Sequence, residues 1–188
     1  MMRADSNRLI YISGRGGDAN KGLGDYLKKI DPYRIGLSVN SSFLNKDFNE
    51  QVKVVRYLFD EFDGPNTSFV ANSYGAYLVL HALIGAPKYK SDVLLLSPAI
   101  GGILNKQSRI YARQPGGRVF DEAMRAGSIT KPNYLSIHIG SLDIGYDEKR
   151  FAAFTDIDLL NVIPEQGHMI ERGCVVNILQ SFLNRRAE

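Results

Sequence analysis

Three residues of this chain combine types and positions that nucleophilic chemistry needs: Ser73, Asp143 and His168. A serine hydroxyl attacks a carbonyl only when a base takes its proton, and an imidazole base needs a carboxylate to orient it and stabilise its cation. Ser73 stands in Ala71-Asn72-Ser73-Tyr74-Gly75, between a strand-like run, Ser68-Phe69-Val70, and a helix-like run, Tyr77–Leu83. No ordinary loop separates the two. A strand that turns straight into a helix strains the backbone at its apex and exposes the apex side chain, and small residues two places to either side avoid collisions where strand and helix pack. Alanine fills the first small position, where glycine is the plainer choice. On their own the five residues also suit a serine that caps the following helix. The corner itself carries the nucleophilic reading.

Asp143 ends Gly140-Ser141-Leu142-Asp143, just past the strand-like Tyr134–Ile139. His168 ends Pro164-Glu165-Gln166-Gly167-His168, just past Asp158–Ile163 and just before the last helical pattern. Of the other two histidines, His81 falls within the helix after Ser73 and His138 within a strand. Taken singly, Asp143 also fits a turn aspartate and His168 a helix-start residue. Together, each at a strand end, the three form a coherent set.

The elements that must position them alternate. Strands are predicted at Arg8–Ser13, Tyr33–Val39, Thr67–Ala71, Asp92–Leu96, Tyr134–Ile139 and Asp158–Ile163. Several are nearly continuous apolar runs, as expected of strands buried on both faces of a parallel sheet. Helices are predicted at 48–62, where Val52, Val55, Phe59 and Phe62 share a stripe, and at 169–183, where Ile170, Cys174, Ile178 and Phe182 do. Weaker helical patterns cover 21–30 and 146–154. Cys174 is expected in the core. The order implies a single α/β domain over residues 1–188, a mostly parallel sheet of about six strands with helices on both faces. In such sheets sites gather at the carboxyl ends of the strands.

On the motifs A-N-S-Y-G at 71–75, G-S-L-D at 140–143 and Q-G-H at 166–168, the chain resembles the α/β-hydrolase family over nearly all its length, and its small size is similar to compact bacterial serine hydrolases and esterases. The resemblance implies Ser73 as nucleophile, Asp143 as acid and His168 as base, with a small-molecule carboxylic ester or thioester as substrate and no cofactor. It also implies an oxyanion hole formed by the N–H of Tyr74 and an N–H within Arg15–Gly16, in the glycine-rich loop after the first strand. Amidase or peptidase activity is the alternative within the fold. An inactive α/β-hydrolase-like binding module is the alternative outside catalysis.

The same loop, Gly14-Arg15-Gly16-Gly17-Asp18-Ala19, formally matches the dinucleotide fingerprint G-x-G-x-x-G/A. No acid ends the second strand, however, and Asp31 precedes it. Residues 99–128 are longer than a plain crossover needs and hold Lys106, Arg109, Arg113, Arg118 and Arg125 against Asp121 and Glu122. They suit a solvated helix with flanking loops, or a small lid whose cationic rim attracts an anionic group. Tyr111 and Phe120 could line such a lid or pack against the domain.

Composition excludes several classes. The chain has 188 residues, 44% hydrophobic and 23% charged, with a net charge of +3. That charge, without a basic block, gives no footing for nucleic acid. One cysteine allows no internal disulfide, and no stretch approaches the ~20 apolar residues of a membrane span. No His/Cys/Asp cluster has metal-ligand spacing. Without the apolar core of a signal peptide near its start, the chain is expected in the cytoplasm.

Overall fold

A computed structural model of the protein describes residues 7–100, 114–152, 154 and 156–185. Six strands form one sheet: β1 (Arg8–Ile12), β2 (Ile35–Leu37), β3 (Thr67–Asn72), β4 (Asp92–Leu96), β5 (Tyr134–Gly140) and β6 (Leu159–Ile163). Their spatial order is β2-β1-β3-β4-β5-β6 and every neighbouring pair is parallel. The chain steps outward from β1 to β2, then returns to the other side of β1 and runs steadily away. The direction therefore reverses at β1 and β3, and the loops leaving those two strands part there to open a crevice.

The helices are α1 (Leu23–Ile30), α2 (Ser41–Leu44), α3 (Phe48–Phe62), α4 (Tyr74–Ala82), α5 (Gly117–Arg125), α6 (Glu148–Ala152) and α7 (Arg172–Asn184). Alternation along the strands sorts two cores. Ile10, Ile12, Phe69, Ala71, Val93 and Leu95 face a large cluster with Phe43, Val55, Phe59, Tyr77, Leu80, Phe120 and Phe151, so α2 through α6 cover that side. Leu9, Tyr11, Val70, Leu94 and Leu96 face a smaller cluster with Leu27, Leu179 and Phe182, so α1 and α7 cover the other. This double cover is why the strands read as apolar runs rather than as alternating ones.

The differences from the predicted elements have local causes. The second strand shrinks to Ile35–Leu37 at the sheet edge, where it pairs on one side only. The last helix starts at Arg172 rather than 169, because Met169–Glu171 belong to the loop that carries His168. Ile170 thus packs on the smaller core from outside the helix, and Cys174 is half-buried while Leu179 and Phe182 fill the interior. Helix α4 is buried at every position, so it shows no polar face.

His81 and His138 sit in this interior, and burial lowers the pKa of each to about 4. An unfolded histidine titrates near ~6.5. As pH falls below that value the unfolded chain takes up protons that the native state refuses, so stability drops until pH nears 4 and then levels off. Each histidine contributes a loss of about 3 kcal/mol when fully expressed. Urea unfolding between pH 7.5 and 4.5 should show this loss, and His138→Asn should reduce it by about half, leaving the share of His81. An unchanged pH slope in that variant would mean that His138 ionises as readily in the native state as in the unfolded one.

Candidate active site

The corner after β3 is built from main-chain constraints. Ser73 has φ 53° and ψ −120°, a region L-residues rarely occupy. Its N–H donates to the Leu96 carbonyl (2.8 Å), and its own carbonyl accepts from Tyr77 (3.1 Å) and Ala99 (3.3 Å). The strained residue is thereby bolted to β4 and to the first turn of α4. Gly75 is required by close approach: a Cβ there would collide with the Ser13 carbonyl oxygen and lie 2.8 Å from that of Ile12. Ala71 fits with its methyl buried in the larger core.

Asp143 is placed by the turn after β5, where its carbonyl accepts from Tyr146 and its N–H donates to Gly140. His168 is placed by the loop after β6. The two loops are stitched together: Leu142 donates its N–H to the Gln166 carbonyl (2.9 Å), Ser141 to Ile163 (2.9 Å), and Glu165 to the Ser141 hydroxyl (2.9 Å). Gly140 permits the contact, since a Cβ there would overlap the Gln166 backbone.

These supports bring the three side chains into one hydrogen-bonded chain. Ser73 Oγ lies 2.8 Å from His168 Nε2, and His168 Nδ1 lies 3.0 and 3.2 Å from the Asp143 carboxylate oxygens. An ionised carboxylate only accepts, so Nδ1 must carry the ring proton and Nε2 is left to accept from Ser73. The Asp143 side chain is fully buried, whereas that of His168 is 23% exposed. Gly145 donates its N–H to Asp143 Oδ1 (2.7 Å), which fixes the rotamer of the acid. His81 and His138 lie elsewhere: the first packs against Phe48, Tyr77 and Phe120, the second sits 3.1 Å from the Asn161 side-chain amide.

The first loop comes close beside Ser73, for a Cβ on Gly14 would lie 3.1 Å from the Ser73 Cβ. Four of its N–H groups are occupied. Ser13 donates to Leu37, Gly14 to the Asn72 side chain, Gly16 to Val39 (2.7 Å) and Gly17 to Gly14. Gly16, expected as one of two possible anion donors, is therefore already bonded. Among the described residues the N–H of Arg15 has no acceptor. Tyr74, as the first residue of α4, has no intrahelical acceptor for its own. The Arg15 guanidinium sits 5.2 Å from the centre of the Tyr74 ring. The loop does not open directly into a helix as a dinucleotide turn does, because α1 begins only at Leu23, and Asp31 is the C-cap of that helix.

Asn72 was invisible as a functional residue in the sequence. Its Oδ1 accepts from both the Gly14 N–H (3.1 Å) and the Tyr11 hydroxyl (2.9 Å), tying the first loop to the corner. No periodicity or motif marks that role. Within residues 99–128, Phe120 is core and Arg118 and Arg125 are exposed on α5, while Asp121 pairs with Arg150 (2.7 Å). Lys106, Arg109, Tyr111 and Arg113 lie outside the described residues. Among the described residues no group of three or more His, Cys, Asp or Glu could hold a metal ion, and no helix is long and apolar enough to cross a membrane.

Neither protein-family models nor curated protein sequences match the chain. Solved structures do. An esterase, PE8, aligns over 96% of this chain and 94% of its own at a TM-score of 0.63 and 18% identity. Arabidopsis thaliana SOBER1 aligns over 98% and 100% at 0.62 and 14%. A monoacylglycerol lipase from Paleococcus ferrophilus aligns over 94% of each chain at 0.66 and 11%.

Proposed function

From the premise that this chain has the α/β-hydrolase fold, we propose that it is a serine hydrolase acting on a carboxylic ester or thioester of a small molecule through an acyl-enzyme. The observation that carries the reading is the continuous Ser73–His168–Asp143 hydrogen-bonded chain at the crevice of the sheet. The esterases and the lipase among its structural neighbours favour ester chemistry over amide chemistry.

Ser73 Oγ attacks the carbonyl carbon while His168 Nε2 takes its proton. Asp143 holds the imidazole in the tautomer that makes this possible and stabilises the cation that forms. The carbonyl oxygen becomes an oxyanion between the N–H groups of Tyr74 and Arg15, with the N-terminus of α4 favouring the negative charge. When the tetrahedral intermediate collapses, the imidazolium gives its proton to the leaving alcohol or thiol. Water, deprotonated by the same imidazole, then attacks the acyl-enzyme and releases the acid. These steps need no metal and no redox cofactor.

Two measurements test the proposal together. A fluorophosphonate probe should label Ser73 and no other serine, because only an activated hydroxyl displaces its leaving group. On a p-nitrophenyl ester series, log kcat/KM should rise with pH through one ionisation and level off on the alkaline side, since the base works only when neutral. A protein left unlabelled by the probe and inert toward every ester would be a binding module on a hydrolase scaffold.

A further inference from the structure

The N–H groups of Tyr74 and Arg15 differ in what holds them. That of Tyr74 belongs to the first turn of α4, which the corner at Ser73 fixes. That of Arg15 belongs to a loop with glycine at 14, 16 and 17. Glycine at 14 answers to close approach, since a Cβ there would lie 3.1 Å from the Ser73 Cβ and 2.9 Å from Asn72 Nδ2. The same glycine lets the peptide group after it rotate at little cost. A rotated Gly14–Arg15 peptide would offer a developing oxyanion a carbonyl oxygen in place of the Arg15 N–H. Something outside the loop has to oppose that rotation.

Asn72 is placed to do so. Alternation along β3 turns its side chain to the face of Tyr11, opposite to Ala71. The Gly14 N–H donates to Asn72 Oδ1 (3.1 Å), and the Gly14 carbonyl accepts from the Gly17 N–H (2.9 Å), so both polar groups of Gly14 are engaged. The Gly14–Arg15 peptide is trans, and its N–H therefore points opposite to its carbonyl. With that carbonyl turned toward Gly17, the Arg15 N–H faces the other way. The orientation of the Asn72 amide follows as well, because an N–H only donates and the oxygen must face Gly14. Tyr11 pins that oxygen with a second bond, from its hydroxyl (2.9 Å). Tyr11 is buried in the smaller core, and burial pushes its pKa up to about 12, so the phenol keeps the proton it donates. On the far side of the loop the Arg15 guanidinium sits over the Tyr74 ring, so the residues carrying the two N–H groups also meet through their side chains.

We propose that Asn72 is a positioning residue of the oxyanion hole: by holding the Gly14 N–H at the end of β3, it sets the direction of the Arg15 N–H. The proposal rests on the hydrolase reading and adds to it the group that keeps the second donor in place. An uncharged acceptor suits the position. A carboxylate would accept the same two bonds but would set a negative charge beside the place where the oxyanion forms.

Asn72→Leu is close in size and has no acceptor, so it frees the Gly14 N–H. It should lower kcat on p-nitrophenyl butyrate about tenfold to hundredfold, short of the loss that follows outright removal of an oxyanion donor. KM should stay within about twofold, because the hole acts in the transition state. Phenylboronic acid, whose boron takes the Ser73 oxygen and becomes a tetrahedral anion, should bind more weakly by the same factor as kcat falls. The midpoint of the pH–rate profile, set by His168, should not move. Tyr11→Phe, which keeps the Gly14 bond, should cost about threefold in kcat or less. Circular dichroism checks folding, and Asn72→Ala serves if the leucine variant does not fold. A wild-type chain that neither hydrolyses esters nor binds the boronic acid would overturn the hydrolase reading and this proposal with it. An active wild type whose Asn72 variants keep kcat and boronic acid affinity would overturn this proposal alone. So would a loss confined to KM, a displaced pH midpoint, or an equal loss in Tyr11→Phe, which would trace the effect to substrate binding, to His168 or to core packing instead.

Discussion

Ser73→Ala should lower kcat for ester hydrolysis by about 10³-fold or more, with the remainder supplied by the oxyanion donors and by substrate binding. The substitution removes one atom, Oγ, and with it the 2.8 Å bond to His168 Nε2. Everything else that shapes the corner is main chain: the bonds to Leu96, Tyr77 and Ala99 and the close approach of Gly75 to β1. Alanine tolerates φ 53° about as poorly as serine does, so the strain is retained and the fold should survive. Labelling by the fluorophosphonate probe should vanish in the same variant. Steady-state kinetics with circular dichroism decides the matter. A folded Ser73→Ala protein with full activity would remove Ser73 from the mechanism, and with it the proposed acyl-enzyme.

Asp143→Asn should cost about 10⁴-fold in kcat, because an amide that donates to Nδ1 leaves the ring proton on Nε2, where it cannot accept from the serine. The residue is buried, and its Oδ1 already accepts from Gly145, which orients an asparagine with its oxygen toward Gly145 and its amide toward His168. Asp147→Asn is the matched control. Asp147 is exposed, and its Oδ1 accepts from the Arg150 N–H at the start of α6. Asparagine caps a helix about as well as aspartate, so activity and stability should barely change. A larger loss for Asp147→Asn than for Asp143→Asn would assign the acid role to the wrong turn.

Gly75, Gly140 and the small residue at 71 were legible as punctuation, because strand-to-helix turns and strand ends need close backbone approach whatever the surroundings. The β-α alternation was legible too, since burial on both faces of a parallel sheet leaves apolar runs bounded by glycine and proline. Each of Ser73, Asp143 and His168 could be singled out because each follows a strand, and all strands of a parallel sheet end on the same side.

Distance was not legible. That Ser73 and His168, 95 positions apart, stand 2.8 Å from one another follows from the strand order and from the Leu142–Gln166 and Ser141–Ile163 bonds that join two loops. Nor could periodicity distinguish Arg15 from Gly16, whose N–H is taken by the Val39 carbonyl from the segment just after the edge strand β2. The tie from Asn72 to Gly14 and Tyr11 has the same origin. Sequence determines which residues form an element and which lie at its ends, for those depend on local sterics and burial. Which hydrogen-bonding groups are left free to act depends on partners brought from far along the chain, and only the packed structure decides it.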